Sequence, residues 1–195
     1  MKNIIATILV LALQSCGSTP TVVDMADERK AEYRKNGSYY IKDKKNFMNS
    51  FIGTWQYIND RTEFRITLSK KEKYHYTAPF NVNYYKDGMV IQYQKYENGE
   101  LIYNSPVGTN PNGVIEEFGK LYMSFVDYEK RNTYLLDLIL IKEPNKNDKL
   151  KFTLSSIILR NDPKPKRLEY WLSLGEINPG ESFFSVPDNI IMTKM

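Results

Sequence analysis

Apolar and polar residues alternate along most of this chain with a period of two. The clearest case is Glu63-Phe64-Arg65-Ile66-Thr67-Leu68, where Phe64, Ile66 and Leu68 share one side of an extended chain. Lys70 to Lys73 then reads as the exposed end of a hairpin, and Lys73-Tyr74-His75-Tyr76 resumes the alternation. Met89 to Tyr96 places Met89, Ile91 and Tyr93 together, and Lys120 to Val126 does the same with Leu121, Met123 and Phe125. Leu150 to Leu159 aligns Leu150, Phe152 and Leu154. Thr133 to Lys142 is apolar on both faces except at Asp137. Leu168 to Leu174, around Trp171, and Asn189 to Lys194 supply two further strand patterns.

Turn residues separate these runs. Asn98-Gly99 sits between Met89–Tyr96 and Leu101-Ile102-Tyr103, as a two-residue hairpin turn with positive φ requires. Asp87-Gly88 reads the same way. Asn104 to Gly113 holds two prolines and two glycines and reads as an open loop. Asn145–Lys149 and Asn161–Lys166 are shorter polar connections. Sequential strands with short turns predict an all-β fold, an antiparallel up-and-down meander closing into a barrel or half-barrel of about eight to ten strands. The last strand is expected to pair with the first. A two-sheet β-sandwich satisfies the same pattern.

The first forty residues break the rhythm. Met1-Lys2-Asn3 gives a short positive start, Ile4 to Leu13 is apolar apart from Thr7, and Leu13-Gln14-Ser15-Cys16 follows. The run is too short to cross a bilayer, which takes about 20 residues. It reads as a lipoprotein signal peptide over residues 1–15, with Cys16 the expected lipid-attachment residue. Cys16 is the single cysteine, so no disulfide is available to the mature chain. Gly17 to Ser38 is charged and poor in large apolar residues, and reads as a flexible tether reaching roughly 25 Å. Residues 39–195 then form one domain. Gly17, rather than aspartate, after the cysteine points by analogy with other lipoproteins to the outer membrane, facing the periplasm.

Phe51-Ile52-Gly53-Thr54-Trp55 opens the strand region, and Phe47, Met48, Phe51 and Ile52 fall at helical spacing just before it. A short helix followed by Gly-x-Trp and a meander resembles lipocalins and fatty-acid-binding proteins. That resemblance implies a lipocalin-like barrel whose tryptophan closes one end and whose interior holds a small apolar ligand. The lipobox, Phe-Ile-Gly-Thr-Trp-Gln-Tyr, Glu63–Leu68 and Lys70-Lys71-Glu72-Lys73 together resemble a family of bacterial lipoproteins of unknown function, from about Tyr39 to the C-terminus. It implies a fold and no activity.

Chemistry is sparse. His75 is the single histidine, between two tyrosines, and reads as a solvated strand residue. No mature cysteine remains for thiol catalysis or thiolate metal sites. No Gly-x-Ser-x-Gly, phosphate loop or calcium loop occurs. No cofactor and no metal site is expected. Glu116-Glu117 and Asp127 with Glu129 are the paired carboxylates available to a hydrolase, and the first pair points to opposite faces of a strand. The formal charge of +4 is spread among 23 acids rather than gathered in a patch, which argues against nucleic acid.

These readings converge on a non-enzymatic, lipid-anchored envelope protein that binds a small apolar ligand or docks on another envelope protein. An accessory or inhibitor subunit and a carboxylate-dependent hydrolase are the alternatives. Trp55, Phe64, Ile66, Met123 and Phe125 are the inward-facing residues that would either line a ligand cavity or fill the core.

Overall fold

The computed structural model describes residues 19–27, 37–117, 119–144, 147–155 and 182–195. The signal-peptide stretch with Cys16 and the strand pattern around Trp171 lie outside the described residues, as does the Asn161–Lys166 turn.

The fold is all-β. In chain order the strands are β1 (Thr21–Asp24), β2 (Tyr39–Lys42), β3 (Gly53–Asn59), β4 (Thr62–Ala78), β5 (Val82–Glu97) and β6 (Glu100–Asn104). They continue as β7 (Val114–Glu117), β8 (Lys120–Asp127), β9 (Asn132–Ile141), β10 (Lys149–Ser155) and β11 (Ile190–Lys194). All belong to one sheet, ordered β1-β2-β5-β4-β3-β11-β10-β9-β8-β7, with β6 on the edge of β5. Two antiparallel meanders, β3-β4-β5 and β8-β9-β10, are joined by β11, which pairs with β3 through Thr193–Gln56 and Lys194–Trp55. The last strand thus meets the strand that carries Trp55. The expected helix over Phe47–Phe51 is a 3-10 turn, ended by Ile52 in an extended conformation.

Two features depart from a pure meander. β1 and β2 join in parallel, β1 to β2 and β2 to β5, so the sheet is mixed. Thr21–Asp24, expected within the tether, is therefore a strand of the domain, and Met25 after it is buried in the core. The sheet also does not close into a barrel by strand pairing among the described residues: β5 and β8, near its two ends, share no ladder. What is observed is one open, mixed sheet of eleven strands.

The sheet nevertheless curls until its ends meet across the core. Four rings from β4, β5, β8 and β10 form a closed circuit: Phe64–Tyr93 at 6.1 Å, Tyr93–Phe125 at 5.2 Å, Phe125–Phe152 at 5.8 Å and Phe152–Phe64 at 5.6 Å between centroids. Edge-on and tilted packing of this kind suits aromatic quadrupoles. Five strands separate β5 from β8 in the sheet, yet Tyr93 and Phe125 touch.

The gap between β5 and β8 is bridged by the loop after β6. Ser105 and Gly108 donate their N–H groups to the carbonyls of Tyr93 and Ile91, and Asn112 exchanges two backbone hydrogen bonds with Met89. The Asn112 carboxamide oxygen then accepts the N–H of Ser124 on β8 at 2.6 Å. The loop expected to be open is in effect an irregular seam strand. Its fit explains Gly88: a Cβ there would lie 2.9 Å from Pro111.

Candidate functional site

The five inward residues nominated by alternation are brought together, as core. Trp55, Ile66 and Phe125 are fully buried, and Phe64 and Met123 nearly so. Trp55 donates its indole N–H to the Phe51 carbonyl at 2.9 Å, fastening the 3-10 turn, and the Lys194 ammonium lies over its ring. Phe64 and Phe125 belong to the ring circuit described above. The interior at these positions is occupied by the protein's own side chains.

The carboxylate pair Asp127 and Glu129 divides between two contacts. Asp127 is fully buried and accepts from the Ser185 hydroxyl, the Ser185 N–H and the Lys130 N–H. Glu129 pairs with Lys95 at 3.0 Å. Asp127 thereby ties the β8–β9 turn to the C-terminal segment. The side chains of Glu116 and Glu117 lie outside the described residues. His75 is exposed, stacked on Tyr85 at 4.6 Å and hydrogen-bonded to Asn83. Asp137 lies on the face of β9 opposite Leu136 and Leu138, half-buried.

Two expectations fail at the middle of β4 and β5. Lys70–Lys73 is no hairpin end, and Asp87-Gly88 is no turn: β4 runs through to Ala78, with a bulge between Lys71 and Tyr74, and Asp87-Gly88 lies buried inside β5. The reason is a buried charge knot. Asp87, without solvent exposure, accepts the Tyr40 hydroxyl at 2.6 Å and the N–H groups of Asp43 and Lys73. Asp43 accepts the N–H groups of Phe47 and Met48, starting the 3-10 turn. The Lys70 ammonium, itself buried, sits 3.6 Å from Asp87 and 3.7 Å from Asp43. Burial, then the bond to Asp87, pushes the Tyr40 hydroxyl pKa well above its ordinary value. Tyr93 is raised likewise, by burial and its hydrogen bond to Tyr103. The carboxylates of the knot are bonded to groups of the fold, and the Lys70 ammonium is held among them by charge alone, so the knot acts as a clamp.

Beyond the bulge, β4 and β5 continue as an arm, with β2 paired along its Tyr85–Lys86 edge, and its Tyr74, Tyr76 and Tyr84 face leans on the seam. The Tyr74 hydroxyl meets the Asn110 side chain at 3.2 Å. Two abutting cavities lie between arm, loop and the outer face of β8. One of about 300 Å³ is lined by Tyr76, Ile91, Pro111, Val126 and Tyr128 among others, and one of about 360 Å³ by Tyr84, Lys86, Val114, Tyr122 and Leu135. Tyr76, Asn112 and Ser124 line both. This cleft joins apolar and aromatic walls to a few amide and hydroxyl groups, the usual composition of small-molecule sites. Alternation could not reveal it, because it belongs to outward-facing residues and an irregular loop; the tyrosine-rich run Tyr74–Tyr85 was the one available signal.

Among the described residues no helix is long and apolar enough to cross a membrane. No curated protein and no solved structure matches this chain. Its full length, residues 1–195, matches the model of a family of unknown function, DUF6705, and the chain belongs to that family.

Proposed function

We propose that the protein is a lipid-anchored, non-enzymatic binding module of the cell envelope, which takes a small, mostly apolar ligand at the seam cleft rather than inside the sheet. The observation that carries this reading is the contrast between a filled interior and an unfilled seam. Trp55, Phe64, Ile66, Met123 and Phe125 pack on one another and on neighbouring rings, whereas Tyr76, Asn112 and Ser124 border open volume on both sides. The aromatic walls supply apolar contact and the few polar groups supply orientation.

Native mass spectrometry of the full-length protein, extracted gently from its host membranes, tests the cleft. The whole chain is required, since β1 lies upstream of residue 39. Excess mass that vanishes on denaturation, and that Ser124→Trp removes without lowering the melting temperature, is the expected result. A bare mass, or ligand retained by Ser124→Trp, overturns the cleft as the site. The anchor is tested separately: Cys16→Ala should leave a precursor that metabolic fatty-acid labelling does not tag, and a labelled variant would refute it.

A further inference from the structure

The arm at the end of β4 and β5 carries a tip that the cleft does not use. From Tyr76 to Tyr85 ten consecutive residues carry no charge. The three-residue turn Pro79-Phe80-Asn81 closes the arm, with Phe80 and Asn81 at positive φ. Phe80 is 93% exposed, more than any other large apolar residue described. Behind the tip stand the rings of Tyr74, Tyr76 and Tyr84, in contact at 4.9 and 5.2 Å, and the exposed Lys71 and Lys73. An apolar tip, an uncharged stretch and then exposed basic residues is the order of chemistry met on passing from acyl chains through headgroups to water.

The topology puts the start of β1 at this same end. β2 runs parallel to β5 and β1 parallel to β2. The Gly37 N–H meets the Asn83 carbonyl, and the Thr21 N–H meets the Ser38 carbonyl. The first residue of β1 pairs with Tyr39 and is therefore level with Tyr84, and Phe80 lies four residues further out, about 13 Å at strand rise. Cys16 stands five residues before Thr21, so the chain between them spans at most about 18 Å. A lipid on Cys16 holds this end of the domain within reach of the bilayer, at the height to which Phe80 projects.

We infer that the β4–β5 arm is a second membrane contact: Phe80 inserts at the acyl–headgroup boundary, while Tyr76 and Tyr84 stay turned to the seam cleft. The inference rests on the lipid anchor proposed above. It sets the orientation of the protein, arm toward the bilayer and the β3–β4 turn away from it.

The test uses full-length protein purified from membranes, with Phe80→Trp and, at the opposite end, Ile58→Trp, which is 60% exposed. Each is placed in phosphatidylethanolamine–phosphatidylglycerol vesicles, with lipids brominated on the acyl chains as quenchers, and wild-type emission is subtracted. The expected result is blue-shifted, quenched emission from Phe80→Trp and water-like, unquenched emission from Ile58→Trp. Unquenched emission from Phe80→Trp overturns the inference and turns the tip toward a protein partner; quenching of both variants overturns the orientation. Intact mass reports acylation of Cys16 independently, so an anchor that fails is told apart from a tip that stands clear of the lipid.

Discussion

The hairpin β4–β5 contains two regions of similar alternation and opposite fate. In its root, Thr62 to Ser69, Phe64, Ile66 and Leu68 are buried, and Tyr93 faces them from β5. In its arm, Tyr74 to Ala78, the bulge turns Tyr74 and Tyr76 to the outer face, where they are half-buried. The root is held by a layer of rings from distant strands, the arm by pairs across its own strands, Tyr76 on Tyr84 and His75 on Tyr85, and by β2 along one edge. The divide is the bulge between Lys71 and Tyr74, fixed by Asp87 accepting the Lys73 N–H. Period-two patterning therefore marks a strand, while burial depends on what the rest of the chain brings against it.

The comparison breaks first at the root. Phe64→Ala removes a ring that touches both Tyr93 and Phe152. It should cost about 3–5 kcal/mol in global stability, read from urea unfolding. A loss below about 1 kcal/mol would mean that the ring circuit is not the core that holds the sheet curled.

Asp87→Ala comes next. It strips the Tyr40 hydroxyl and the Asp43 and Lys73 N–H groups of their common acceptor, and leaves Lys70 buried beside fewer carboxylates. Breaking a buried pair from one side costs roughly 3 kcal/mol. Because the same carboxylate sets the bulge, amide exchange across the arm should quicken beyond what the global loss explains. An arm as protected as in the wild type would separate the knot from the bulge.

Asp87 also shows where the sequence was legible and where it was not. Strands in regular register, such as β8 with Leu121, Met123 and Phe125 inward, declare themselves through side-chain period, because each inward position meets the same apolar environment. The Asn98-Gly99 turn was legible because both residues take positive φ, at 50° and 81°. Asp87-Gly88 has the same local chemistry but a different cause. Asp87 is an acceptor for groups 14 to 47 residues away, and Gly88 makes room for Pro111. Such reasons are tertiary, and no window on the sequence contains them. β1 was missed likewise: Thr21–Asp24 has little apolar patterning and is a strand because β2 offers it a free edge. The seam cleft was hidden for a third reason, that its polar members Asn112 and Ser124 look like ordinary surface residues until the fold sets them side by side.

Tyr40→Phe sharpens the knot by pH. The folded protein holds the Tyr40 proton to a higher pH than the unfolded chain, whose tyrosines ionise near 10. Above about pH 10 the unfolded state releases that proton first, so stability contributed by Tyr40 is intact below this pH and falls as pH rises past it. The variant should lose about 1 kcal/mol at neutral pH, the value of one hydrogen bond, and its melting temperature should decline less steeply above pH 10. Parallel alkaline limbs for the two proteins would remove Tyr40 from the account.

The smallest effect belongs to the arm. Tyr76→Ala deletes the stack on Tyr84, lying at an interplanar angle of 6°, and opens the cavities that Tyr76 borders on both sides. Cross-strand aromatic pairs at half-exposed positions contribute roughly 0.2–1 kcal/mol, so urea unfolding should barely move. Amide exchange within Tyr74–Tyr85 should nevertheless accelerate, since the arm can open without disturbing the root. If Tyr76→Ala instead destabilises the whole protein as much as Phe64→Ala, the arm is not a separate local unit. The cleft beneath it would then be part of the core's own packing rather than a site left open for a ligand.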